Sequence, residues 1–156
     1  MAYDFSANEI FEMAGQIERN GMKFYQAAAE EIDDADNKKF LKQLADMERM
    51  HEEVFAAMKA ELAGKEKTST VFDPEDEGVR YLKALADMRV FYKKAIDLSS
   101  MESIIKDAIT AEKDSILFYL GMKELVPEKA GKTKLDDIIR EEMNHITMLA
   151  NKLAKA

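Results

Sequence analysis

The sequence predicts an all-α protein: four helices in a bundle, the second and third joined by a long crossover. Only two prolines, Pro74 and Pro127, interrupt the 156 residues. The long segments around them are rich in Ala, Glu, Lys, Leu and Met, which lose little side-chain freedom in a helix. Along four of these segments, apolar residues recur at alternating spacings of three and four, the period of a helix that buries one face. No β-branched alternating run is long enough for a sheet, and TSTVF at 68–72 is too short to define one.

Helix A is expected to begin at Ser6, whose hydroxyl can accept from the first turn while Glu9 reaches back as a capping box, and to end near Asp33 in the polar cluster DDADN. Helix B runs from there to a stop at Gly64. Ser99 with Glu102 repeats the capping signature for helix C, which Pro127 terminates, and Thr133 with Asp136 opens helix D. Each helix spans about 22 to 27 residues, or roughly 33 to 40 Å. Between B and C lie about 35 residues, too many for a turn. A short amphipathic helix is expected within them, from Val79 to Val90.

At this length the chain fits one domain, residues 1–156, able to bury a core without staples. There is no cysteine, which excludes disulfides, thiolate metal sites and a cysteine nucleophile, so any metal must be held by oxygen and nitrogen. The formal charge is −8, from 31 acidic against 23 basic residues. No Lys/Arg run is long enough to track a phosphate backbone, so nucleic acid is not an expected partner. The start, MAYDFSANEI, has neither a basic cluster nor a long apolar run. A soluble, cytoplasmic protein with no membrane association is expected.

The numbering carries a duplication. A shift of 94 residues places Glu18 on Glu112, Phe24 and Tyr25 on Phe118 and Tyr119, Glu48 on Glu142, and His51 on His145. The two halves read as two copies of one helical hairpin related by a pseudo-twofold axis. Their seams make the point sharper. Helix A carries Ala7, Phe11, Ala14, Glu18, Gly21, Tyr25, Ala28 and Ile32; helix B carries Leu41, Leu44, Glu48, His51, Phe55, Met58 and Leu62. Helix C carries Met101, Ile105, Ala108, Glu112, Ser115, Tyr119, Met122 and Val126, and helix D carries Leu135, Ile138, Glu142, His145 and Leu149 before weakening at Lys152. In each stripe the ionisable residues intrude near mid-helix, where the core should be apolar.

The chain's two histidines both follow a glutamate by three residues, in MERMH and EEMNH. At the frequency of Glu in this chain, chance would put both in that frame about one time in eighty. Glu and His three apart share one helix face, so Glu18, Glu48, His51, Glu112, Glu142 and His145 should converge on one layer. Burying one bare carboxylate costs several kcal/mol and four together repel one another. Two divalent cations would balance the four carboxylates, with the neutral imidazoles completing a site of the kind formed by paired single Glu and Glu-x-x-His helices. Tyr25 and Tyr119 lie two turns beyond Glu18 and Glu112, where a phenol could hydrogen-bond a ligand carboxylate, pass an electron, or serve as a core aromatic with a satisfied hydroxyl. Glu52, Glu53 and Glu141 flank the motifs off the seam, placed for solvent exposure or for contact with a ligand rather than for ligation. Oxygen-rich donors with two imidazoles and no thiolate suit iron, or manganese.

Through IERNGMKFY, MERMH, AEKDSILFY and EEMNH, the chain resembles the rubrerythrin branch of the ferritin-like superfamily, over nearly its whole length. The resemblance implies a ferritin-like bundle holding two iron ions, with manganese or a mixed pair as alternatives, that reduces hydrogen peroxide or dioxygen. It departs from the family's pattern twice. Rubrerythrins usually carry a rubredoxin-like Cys-x-x-Cys centre, so a cysteine-free chain implies an external electron donor such as a rubredoxin-like protein. The typical peroxidase also has a further glutamate one turn after the helix C ligand, where this chain has Ser115. With Gly21 at the equivalent place on helix A, that position leaves room for a small oxidant. Three functions compete: an oxidoreductase, a ferrous-iron oxidising protein, and a metal-stabilised interaction module without turnover, its crossover forming a dimer interface. A homodimer is expected, since too few residues follow helix D for the extra helix of a ferritin cage.

Overall fold

A computed structural model of the protein describes residues 7–61, 80–82, 84, 97–125 and 131–155. They form α1 (Ala7–Glu31), α2 (Ala35–Glu61), α3 (Met101–Leu125) and α4 (Lys132–Ala154), and no strand occurs among them. The four helices are the predicted A to D. The short helix expected over Val79–Val90 lies mostly outside the described residues, of which Arg80, Tyr81, Leu82 and Ala84 are helical. TSTVF, the Gly64 stop, the Ser6 cap and Pro127 also lie outside them.

Two helix starts differ from expectation. The hydroxyl of Ser100, not Ser99, accepts from the Ser103 backbone N–H at 3.2 Å to cap α3, while Ser99 donates to Asp97. Glu102 pairs with Lys106 rather than reaching back. At α4 the cap is Gly131, in the left-handed region at φ 104, with no side-chain cap bond, and Asp136 pairs with Lys123 on α3 at 2.6 Å. A glycine in that conformation carries no Cβ penalty. A capping role that the sequence assigns only to the end of helix A belongs to Asp34, whose carboxylate accepts from Asn37 N–H at 2.8 Å at the start of α2.

Every described seam residue from Phe11 to Leu149 is buried, apart from the partly buried Met101. The stripe is wider than the seam alone, since Ile10, Ile17, Phe24, Ile104, Ile116, Phe118 and Ile139 are buried beside it, as expected where a bundle helix hides more than a narrow coiled-coil seam. α1 packs chiefly on α2 and α3 on α4, with α1 also touching α3.

The core divides into two apolar clusters. One joins Ile10, Phe11 and Ala14 from the start of α1 to Phe55 and Met58 from the end of α2, Tyr119 and Met122 from the end of α3, and Leu135 and Ile138 from the start of α4. The other joins the opposite ends: Ala28 and Ile32, Leu41 and Leu44, Ile104 and Ile105, and Leu149. It follows that α1 and α4 run one way, and α2 and α3 the other. Because α2 ends where α3 does, the chain must return along the whole bundle, about 40 Å at 1.5 Å per residue, before α3 can begin. That return is the reason for the long crossover. Its Tyr81 lies against α3, where the phenol donates to the Leu117 carbonyl at 2.9 Å and the bare Gly121 leaves space that a Cβ would take from the Tyr81 ring. Among the described residues, no helix is long and apolar enough to cross a membrane.

Candidate metal centre

Between the two apolar clusters lies a layer of polar groups. Glu18, Glu48, His51, Glu112, Glu142 and His145, the six intruders in the seams, all meet there, each no more than 4% exposed. Mid-helix positions on antiparallel neighbours fall at one height, so the pattern that breaks each stripe builds a single cluster. The ligand-type atoms form two groups, Glu18–Glu48–His51–Glu142 and Glu48–Glu112–Glu142–His145, each with all its atoms within 4.8 Å of one another. Glu48 and Glu142 belong to both groups.

Each imidazole turns Nδ1 inward. His51 Nδ1 is 2.7 Å from Glu142 Oε1 and 3.5 Å from Glu18 Oε2, while His145 Nδ1 is 3.4 Å from Glu48, Glu112 and Glu142. The rings stack at 5.6 Å between centroids and 17° between planes. The tyrosines cross over reciprocally: Tyr25 donates to Glu112 Oε1 at 2.7 Å, and Tyr119 to Glu18 Oε1 at 2.6 Å. Each phenol thus serves the carboxylate of the other half. Burial, followed by the charge of the nearby carboxylates, holds both phenols well above their ordinary pKa, so both stay protonated donors.

The carboxylates differ in charge state. Burial, followed by repulsion from neighbouring carboxylates, raises Glu48 and Glu142 well above the usual range. Burial would raise Glu18 and Glu112 too, but the close approach of Glu48 and His51 to Glu18, and of Glu142 and His145 to Glu112, outweighs it and brings Glu112 down to about 2. Burial opposes charge on the histidines, yet the carboxylates beside them prevail and raise His51 to about 11 and His145 to about 10. Without metal these directions favour protons on Glu48, Glu142, His51 and His145 and charge on Glu18 and Glu112.

Protons do not complete the site. Glu18 Oε2, Glu48 Oε1, Glu112 Oε2, Glu142 Oε2 and both ring nitrogens of His145 are buried without a hydrogen-bond partner among the described residues. Each such atom costs about 1–3 kcal/mol, and native proteins tolerate few. Six in one layer, on residues of the two groups, is a donor set that could hold divalent cations. A pair of cations fits these residues.

Two contacts at this layer were not legible as such in the sequence. His51 Nε2 is hydrogen-bonded to Glu141, one residue before the motif glutamate of α4. Arg19, next to Glu18, pairs with Glu52, next to His51, at 2.9 Å. Only adjacency to the motifs marks these residues. Ser115 is buried at the position of the additional family glutamate, with its hydroxyl turned back to the Ala111 carbonyl at 2.9 Å. Gly21 is buried as well, whereas Glu53 is exposed and paired with Arg49.

Changing Tyr119 to phenylalanine removes the donor to a charged carboxylate without changing the ring. It is expected to lower the stability of the metal-free protein by ~1–3 kcal/mol in urea unfolding, with Tyr25→Phe matching it by symmetry.

The model of the protein family described as Rubrerythrin matches residues 9–154, a span that contains all six clustered residues and both tyrosines. Among solved structures, that of a protein from Thermotoga maritima assigned as a ferritin-like diiron-carboxylate protein superposes with a TM-score of 0.70. The two are 25% identical, over 99% of this chain and 98% of that one. No curated protein matches the chain significantly.

Proposed function

The chain belongs to the rubrerythrin family, and from that premise we propose that it is a di-iron oxidoreductase, reducing hydrogen peroxide or dioxygen with electrons from an external donor such as a rubredoxin-like protein. The observation that carries the proposal is the buried layer of four carboxylates and two imidazoles with six unpartnered atoms. Bound iron would supply one-electron steps between its ferrous and ferric states. Manganese fits the same oxygen-rich donors.

The chain's own residues have distinct parts. His51 and His145 each offer Nδ1, one to each group. Glu48 and Glu142, common to both groups, would contribute to holding both ions, and Glu18 and Glu112 would each contribute to one. The tyrosine hydrogen bonds hold these single carboxylates through Oε1 and leave Oε2 of each buried without a hydrogen-bond partner among the described residues. The apolar clusters on either side exclude bulk water, which strengthens electrostatic interactions inside the layer. With Ser115 in place of a further carboxylate, and its hydroxyl already bonded to its own helix, that position offers no anionic side chain to compete with a small oxidant.

Reducing one hydrogen peroxide to two waters takes two electrons and two protons. Protein loaded with ferrous iron should therefore be oxidised by one peroxide per pair of irons, followed optically under anaerobic conditions. A rubredoxin-like donor should then restore the ferrous state over repeated additions. Iron that stays ferrous in excess peroxide would contradict the reading.

A further inference from the structure

The two histidines are equivalent in the 94-residue repeat but not in their surroundings. His51 faces the cluster through Nδ1, and its Nε2 is hydrogen-bonded to Glu141 Oε2 on α4, a carboxylate 60% exposed to solvent. His145 also faces the cluster through Nδ1, yet its Nε2 is buried with no hydrogen-bond partner among the described residues. The repeat accounts for the difference. The residue 94 positions before Glu141 is Met47, which has no carboxylate to offer and packs against the apolar cluster of Leu41 and Leu149. One half has an acceptor for the outward ring nitrogen, and the other half has a thioether in its place.

We infer that Glu141 is a positioning residue that makes the two metal positions unequal, so that a divalent cation fills the position beside His51 before the one beside His145. The inference rests on the proposed metal centre and adds to it an order of filling. An imidazole that gives Nδ1 to a metal keeps its proton on Nε2, and an acceptor there fixes both the tautomer and the ring's rotation while making Nδ1 a stronger donor. Glu141 is partly solvated, so its charge is screened and the effect comes through the directed hydrogen bond. His145 must hold its ring by packing alone, with a buried N–H that gains nothing in return. Removing such an outer partner typically lowers metal affinity about 10- to 100-fold, and a gap of that order is expected between the two positions.

The experiment is a titration of the metal-free protein with cobalt(II), read by calorimetry for affinity and by proton NMR for which histidine ring is shifted. Wild-type protein should bind in two resolved steps, with the His51 ring shifted by the first equivalent and the His145 ring by the second. In Glu141→Ala the tighter step should weaken by about 10-fold or more, so that the two rings shift together. Glu141→Gln, which keeps an acceptor but not the charge, should fall between. Glu53→Ala removes an equally charged surface residue that does not contact the ring, and should leave both steps unchanged. Two cobalt ions bound with affinities and order unaltered in Glu141→Ala would overturn the inference while leaving the metal centre standing. Wild-type protein that takes up no cobalt would remove both.

Discussion

Changing Glu48 and Glu142 together to glutamine is expected to take the bound metal from two ions per chain to none, while leaving the metal-free fold at least as stable as the wild type. The two effects have one cause. Both residues belong to both ligand groups, so their loss removes an anionic donor from each ion twice over. An amide is a poor ligand for a hard cation and leaves the site with half its negative charge. In the metal-free fold, however, burial and neighbouring carboxylates already keep these two groups protonated. Glutamine matches a protonated carboxyl in size, and its N–H can donate to the neighbouring Glu18 and Glu112 as a protonated carboxyl would. In the unfolded chain both glutamates ionise at neutral pH, so each unit by which folding raises a pKa costs about 1.4 kcal/mol, and the substitution removes that cost. Metal analysis and urea unfolding after chelation check the two halves of the prediction. Full occupancy in the double variant would refute the ligand assignment.

Removing metal should also make stability strongly dependent on pH, with the metal-free protein weakening as pH rises. Folding raises His51 to about 11 and His145 to about 10. Their stabilising contribution is fully present below about 6.5, the unfolded value, and is lost as pH climbs through the folded values. Glu48 and Glu142 act in the same direction, since above about 4.5 the folded chain keeps protons that the unfolded chain has released. Glu18 and Glu112 act in the opposite direction, contributing stability above about 4.5 that is lost as pH falls through their lowered folded values, about 2 for Glu112. The metal-free protein should thus be most stable near pH 4.5, where the four unfolded glutamates together bind about as many protons as the folded cluster keeps on Glu48 and Glu142. Above that it should lose at least ~1.4 kcal/mol per pH unit, the slope of a single extra bound proton.

Metal inverts the dependence. Two divalent cations bring the same charge as the four protons on Glu48, Glu142, His51 and His145, so loading exchanges one set for the other and affinity rises with pH. At saturating metal, about a hundredfold above Kd, each ion should add roughly 2.7 kcal/mol. Unfolding followed by circular dichroism across pH, with and without chelator, should show two curves that diverge as pH rises. Parallel curves would contradict the proton inventory of the cluster.

Much of this centre was legible before any coordinates because a buried ionisable residue is visible as a defect in a periodic pattern. Glu18, Glu48, His51, Glu112, Glu142 and His145 each replace an apolar residue in a seam, and the shift of 94 residues pairs them. The partners of Tyr25 and Tyr119 were not legible. Side chains lean towards the N-terminus of their helix, which aims both phenols back at the carboxylate layer, but the choice between Glu18 and Glu112 depends on how α1 is rotated against α3. Spacing along one helix does not encode that angle. The contact of Glu141 with His51 escaped for the same reason, since it joins residues 90 positions apart on different helices. The helix starts were misread at a smaller scale. Ser99 and Ser100 offer the same chemistry one residue apart, and a glycine cap such as Gly131 has no side chain to announce it.

The central claim is that the six side chains in the middle layer hold a pair of metal ions, and an anomalous difference map at the iron edge, from crystals of iron-loaded protein, tests it most directly. Two peaks are predicted among these side chains, both in reach of Glu48 and Glu142, one beside Glu18 and His51 and the other beside Glu112 and His145. A map with no peak in that layer, or with iron only on the outer surface, would contradict the account.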